Sequence, residues 1–159
     1  MRHHDGTSFL ELLIVLGIGT VVFAVLIWYS QRLADLLSLR SAAITLVSDL
    51  RAAQARSIAE RRPDRRHGLE LQAEADRYFI VVREGTIRLL AQERRLPPRV
   101  RITYARFGGI PTMIVFTGVS LYGAPSGGGT VTLASGSARL CVRVAPATGR
   151  SRVSAVNCP

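Results

Sequence analysis

The chain has 159 residues, with 21 basic against 11 acidic side chains and a net charge of +10, a length that holds one domain and an anchor and excludes a large multidomain enzyme. Every basic side chain is arginine, which makes bidentate bonds to phosphate and carboxylate where lysine acts as a point charge. No acidic residue follows Glu93, whereas Arg94, Arg95, Arg99, Arg101, Arg106, Arg139, Arg143, Arg150 and Arg152 do; such a field attracts nucleic acid or an anionic surface, unless these arginines are simply a solvated face.

The chain opens on a short polar stretch, Met1 to Gly6, carrying Arg2, His3, His4 and Asp5. Gly6-Thr7-Ser8-Phe9-Leu10-Glu11 then leads into an uncharged apolar run from Leu12 to Tyr29. Eighteen residues of helix span roughly 27 Å, about the hydrocarbon thickness of a bilayer, which predicts a transmembrane helix over 7–30. Glu11 stands at the front of this run, where an unpaired charge costs at least ~2.5 kcal/mol near the bilayer centre and calls for a partner. Gly6 precedes the apolar run, whereas the cleavage site of a secretory signal follows it. A cut after Gly6 would therefore leave the helix on the mature chain.

This arrangement resembles the class III signal of type IV prepilins and type II secretion pseudopilins. The resemblance implies that residues 1–6 are a leader, that a prepilin peptidase cuts after Gly6, and that Thr7 becomes the methylated N-terminus. It further implies that Glu11, fifth in the mature chain, pairs with the terminal amine of a neighbouring subunit as helices pack into a filament. Thr7 stands where that family most often has phenylalanine. No proline interrupts Leu12 to Tyr29, so Gly17 and Gly19 are the points of helix flexibility. The alternative is an ordinary single-pass anchor with a stray glutamate.

Beyond Tyr29 the helical signal runs on to Pro63. Leu36, Leu39, Ala43, Leu46, Leu50, Ala53 and Ser57 form a stripe at three- and four-residue steps, with Arg40, Asp49, Arg51 and Arg56 off it. This predicts an amphipathic helix over 31–62, ending near Arg61 and Arg62, laid against a β-rich head over 63–159. A coiled coil is the rival reading. Arg61, Arg62, Arg65 and Arg66, crossed by Asp64, read as a loop. Strands are predicted at Gly68–Gln72, Tyr78–Arg83, Thr86–Gln92, Val100–Tyr104, Met113–Thr117, Thr130–Ala134, Ala138–Val144 and Arg152–Val156. In Ala138–Val144, Ala138, Leu140, Val142 and Val144 face one way and Arg139, Cys141 and Arg143 the other. Ser126-Gly127-Gly128-Gly129 reads as a flexible loop without Walker spacing, and Pro146-Ala147-Thr148-Gly149 as the turn to the last strand. The fold class is α+β: a long N-terminal helix on an antiparallel sheet head with a two-layer core.

A long helix followed by an all-strand head is similar to the GspH/FimT family of minor pseudopilins and minor pilins. The similarity covers the membrane motif, the helix segment from Ser48 to Ser57 and the C-terminal hairpin. It implies a pilin-like head on the exported side of a bacterial inner membrane, with prepilin peptidase, other pilins or pseudopilins and membrane lipid as partners. Cys141 and Cys158 are the only cysteines; on the exported side an even pair fits a disulfide better than a metal site, which needs about four ligands. Gly149-Arg150-Ser151-Arg152 resembles the Gly-Arg-x-Arg motif of FimT-type minor pilins, which bind DNA for uptake in natural transformation. Carried over, Arg150 and Arg152 would contact phosphates from one face of an extended strand, Gly149 would permit the turn, and Arg143 and Arg139 would extend the patch. Two solvated arginines on an edge strand are the plain alternative. No catalytic constellation is evident: His67 stands alone beside arginines, and neither paired carboxylates nor metal spacing occurs in the head. No cofactor is expected. Two readings remain, a FimT-like DNA-binding minor pilin of a type IV pilus and a GspH-like structural subunit of a type II secretion system.

Overall fold

A computed structural model describes residues 9–108, 112–119, 122–156 and 158–159. Residues Phe9–Glu60 form one α-helix, α1, as the absence of a breaker before Pro63 requires. The chain packs as two units, one ending at Ala34 and the other running from Asp35 to Pro159.

In the first unit the side chains of α1 are almost all exposed, from Phe9 and Leu12 to Trp28 and Leu33. The helix is long and apolar enough to cross a membrane, with a mean hydropathy of 2.6 over its best 18-residue stretch. Two of its hydroxyls are satisfied internally. Thr20 Oγ1 donates to the Gly17 carbonyl at 2.8 Å and Ser30 Oγ to that of Ile27 at 2.9 Å, bonds that are compatible with apolar surroundings. The Arg32 guanidinium stacks 3.7 Å over the Trp28 ring. Glu11 is exposed. Among the described residues no cation lies within 4.0 Å of it. Gly6 and Thr7, the expected processing site, lie outside the described residues.

The second unit holds the rest of α1 and eight strands: β1 (Arg65–Leu71), β2 (Arg77–Glu84), β3 (Ile87–Arg95), β4 (Arg101–Phe107), β5 (Met113–Phe116), β6 (Gly129–Ser135), β7 (Ala138–Val144) and β8 (Ser151–Ser154). They form two antiparallel four-stranded sheets, ordered β3-β2-β1-β5 and β4-β6-β7-β8. The chain first leaves one sheet for the other at Pro97-Pro98, which cannot donate to a ladder, returns to the first sheet for β5 and crosses back for β6. One core joins α1 to both sheets. Leu39, Ala43, Leu46, Leu50 and Ala53 pack with Leu69, Tyr78, Ile114 and Phe116 of the first sheet and with Ile102, Val131, Leu133 and Val142 of the second.

Three details differ from the sequence reading. Leu36 is 52 % exposed, because burial of the stripe begins only at Leu39. The helix stops at Glu60, and Arg61 takes a left-handed φ of 50°, with its N–H still bonded to the Ser57 carbonyl at 3.2 Å. Arg65 and Arg66 belong to β1 and not to a loop. β2 runs out to Glu84, and its backbone is paired there by Arg65 and Arg66 in register with Glu84 and Arg83, which satisfies groups that would otherwise be orphaned.

The polar residues of α1 tie it to the strands one by one. Asp49 Oδ2 accepts from the Tyr78 hydroxyl at 2.6 Å and faces Arg94 at 3.8 Å. Burial first, and this hydrogen bond second, push the Tyr78 hydroxyl well above its ordinary pKa. Ser57 Oγ donates to the Phe116 carbonyl at 3.0 Å and accepts from the His67 N–H at 3.2 Å. Gln54 Nε2 reaches the carbonyls of Tyr122 at 2.6 Å and Thr148 at 2.8 Å. These contacts fix the loops at one end of the head.

Candidate nucleic-acid interface

The alternation read in β7 sets the geometry of the second sheet. Val142 and Val144 enter the core, so Arg139, Cys141 and Arg143 occupy the opposite, outward face. Arg106 is the register partner of Thr130, Thr130 of Arg143, and Arg143 of Arg152. Three arginines therefore stand in one rank across four strands, about 14 Å from β4 to β8 at ~4.8 Å per strand.

The neighbouring rank is Tyr104, Thr132, Cys141 and Ser154, and the C-terminal tail lies over it. Cys141 and Cys158 form a disulfide with 5.6 Å between their Cα atoms. Thr132 Oγ1 donates to the Pro159 carbonyl and Arg143 Nη2 to that of Val156, both at 3.3 Å. Arg143 is thus half-buried and holds the tail as well as facing the groove.

At the end of this rank an open groove of about 900 Å³ is lined by Arg143, Arg150 and Arg152, and by Gly127, Gly128 and Gly129. None of its lining residues is acidic. Two of these glycines, Gly128 and Gly129, belong to close packing and not to a flexible loop. A Cβ on Gly128 would stand 2.7 Å from Pro146 Cδ. Gly129 already begins β6, and the Gly128 carbonyl accepts from the Gly108 N–H at 2.9 Å. The wall opposite is the turn after β7. Ala145 N–H donates to the Arg150 carbonyl at 3.0 Å, and Gly149 N–H to that of Ala145 at 2.9 Å. Gly149 is buried with φ at 68°, a conformation that glycine adopts at little cost. A Cβ there would lie 2.8 Å from Gln54 Nε2.

Of the residues singled out in the sequence, the fold brings Arg143, Arg150 and Arg152 together, with Gly149 beneath them as a shaping residue. Arg150 lies one residue ahead of β8, so only Arg152 is in the strand. Arg139 is at the other end of β7, ~13 Å along the strand from Arg143 and outside the groove. Arg106 was missed as a site residue. Its only signal was the run of arginines after Glu93, because a register shift between Ile102 and Tyr104 breaks the alternation that would have placed it.

Charge separates the two sheets. Arg94 meets Asp49 at 3.8 Å, Arg95 meets Glu93 at 3.0 Å and Arg99 meets Asp35 at 3.6 Å. Among the described residues no carboxylate lies within 4.0 Å of Arg101, Arg106, Arg139, Arg150 or Arg152. Arginines with no carboxylate within 4.0 Å among the described residues also occur on α1, β1 and β2, among them Arg40, Arg56, Arg66 and Arg83, but β4, β6, β7 and β8 carry arginines with no acidic side chain at all, a local excess of positive charge that favours anions.

His67 does a different job. Its ring is buried and its Nε2 lies 3.0 Å from Glu60 Oε1, with Arg65 Nε 3.4 Å from the same carboxylate. The His67 contact leads in holding the Glu60 carboxyl below its ordinary value; partial burial opposes it, and the charges of His67, Arg65 and Arg62 add to it. Ser57 Oγ meets the backbone N–H of His67 and not its ring, so Ser57, His67 and Glu60 do not form a nucleophile-base relay. Among the described residues no group of three or more His, Cys, Asp or Glu side chains is placed to hold a metal.

No family model, curated protein or solved structure matches the chain.

Proposed function

We propose that this chain is a minor pilin of the FimT type, a non-enzymatic subunit that takes up a place in a type IV pilus and binds DNA during natural transformation. In this reading prepilin peptidase removes residues 1–6 in the inner membrane and methylates Thr7. Glu11 then draws the helix into the filament by pairing with the amine of an adjacent subunit. The exported head presents Arg106, Arg143, Arg150 and Arg152 to the phosphates.

The observation that carries the proposal is the glycine-floored groove ringed by arginines and free of acidic lining residues. Guanidinium groups match phosphate oxygens bidentately. Backbone contacts of this kind bind without sequence preference. A GspH-like secretion subunit shares the anchor and the helix but has no use for such a groove.

A mobility-shift assay on the full chain in detergent micelles, with random-sequence DNA at graded salt, tests it. Three or four phosphate contacts give a slope of log K against log salt of roughly −2 to −4, and Arg150→Gln or Arg152→Gln each flattens it by about 1. Absent or salt-independent binding overturns the proposal and leaves the secretion-subunit reading in its place.

A further inference from the structure

The basic groove does not end at its arginines. Arg150 and Thr148 also line a second depression, of about 450 Å³, together with Arg51 and Tyr122. The Tyr122 side chain is presented to solvent, the residue being 68 % exposed. Its backbone is held, since its carbonyl accepts from Gln54 Nε2 at 2.6 Å and the next carbonyl, of Gly123, lies 3.4 Å from the same nitrogen. On the other side a third depression, of about 230 Å³, shares Gly128, Gly129 and Thr130 with the groove and adds Arg106 and the half-buried Tyr104. The three depressions thus share lining residues in sequence, with Arg150 common to the groove and the Tyr122 depression, and Gly128, Gly129 and Thr130 common to the groove and the Tyr104 depression.

We propose that the ligand of these depressions is single-stranded nucleic acid, with Tyr122 as a platform on which a base stacks. The inference rests on the polyanion-binding reading above and narrows it. A duplex keeps its base faces inside its own stack, so an exposed tyrosine ring adds nothing to duplex binding. A single strand offers every base face, and a positively charged groove with flanking aromatic rings is the usual way to hold one. A tyrosine ring can also lie among lipid headgroups, and competition between anionic vesicles and the oligonucleotide separates that case. Gln54 supports the choice: pinning the backbone at Tyr122 lowers the ordering cost of placing the ring beside Arg150.

The test is fluorescence anisotropy on the full chain in detergent micelles with three probes: a thymidine oligonucleotide of about 12 nucleotides, an abasic strand of equal length and a duplex. Tyr122→Ala should weaken binding of the thymidine strand roughly 5- to 100-fold, leave the abasic strand and the duplex unchanged, and be rescued by Tyr122→Phe. A thymidine strand carrying 5-iodouracil should crosslink to Tyr122 on irradiation. No loss in Tyr122→Ala, or an equal loss on all three probes, overturns the stacking role while leaving phosphate binding standing. If the unaltered chain binds none of the probes, or binds anionic vesicles without competition from the oligonucleotide, the polyanion reading itself fails.

Discussion

Arg143 on β7 and Arg152 on β8 are direct register partners in the final hairpin of the head. Like charges set opposite each other on a sheet are destabilising. Arg143 relieves part of this by donating to the Val156 carbonyl, and an anion in the groove would relieve the rest. Arg152→Gln should therefore leave stability unchanged or raise it by up to ~1 kcal/mol, while lowering affinity for nucleic acid. Denaturant titration beside a binding isotherm reads both, and a less stable variant would show that Arg152 serves the fold.

Gly149 and Gln54 shape the turn from opposite sides. Gly149→Ala forces a side chain into left-handed φ, which costs about 1–2 kcal/mol, and drives a Cβ against Gln54 Nε2. The melting temperature should fall, and the affinity that depends on Arg150 should fall with it. Gln54→Ala removes the bonds to the Tyr122 and Thr148 carbonyls, at ~1 kcal/mol for each bond lost. A variant at either position as stable as the parent would mean that the turn holds its shape without them.

The cluster at Glu60 gives the head an acid-sensitive point. The folded-state pKa of Glu60 lies below its ordinary value of 4.5, so its ionised form is favoured by folding. Its contribution is complete above that value and is lost as pH falls through the lower folded one. Glu60→Gln should be less stable than the parent at pH 6, and the difference should shrink as the pH is lowered below 4.5. Melting curves over that range check the sign. A difference that grows on acidification would refute it.

On the pilin reading proposed above, Glu11→Ala should leave removal of the leader intact and reduce incorporation into filaments. Immunoblots of whole cells and of sheared filaments separate the two steps. Undiminished incorporation would contradict pairing of Glu11 with a neighbour's amine.

Much of this fold was legible because the chain repeats simple periods. Eight strands occur near the eight places that alternation and turn residues suggest, although β1 begins three residues earlier, at Arg65, and β8 ends two residues earlier, at Ser154; Leu39, Ala43, Leu46, Leu50 and Ala53 are buried as their spacing requires. What stayed hidden depends on packing between distant segments. Arg101 and Arg106 are five residues apart, which a strict two-residue period puts on opposite faces. The irregularity between Ile102 and Tyr104 returns them to the same face, opposite Ala134 and Thr130 respectively. Gln54 looks like any polar residue on the open side of a helix, and its two carbonyl partners lie 68 and 94 residues away. Tyr122 belongs to no regular element, so no period could point to it.

The split in charge between the two sheets has an effect at a distance. Every acidic side chain of the Asp35–Pro159 unit is on α1, on β1, β2 or β3, or in the turns beside them, and β4, β6, β7 and β8 have only arginines as charged side chains. The positive charge of the head is in that respect uneven, undiluted by acidic side chains on one sheet and mixed with them elsewhere. A polyanion within about a Debye length, ~10 Å at 0.1 M salt, exerts a torque that rotates the head before any atom touches. Collisions are then aimed, and the arginines speed capture even where they add little to the strength of the final grip.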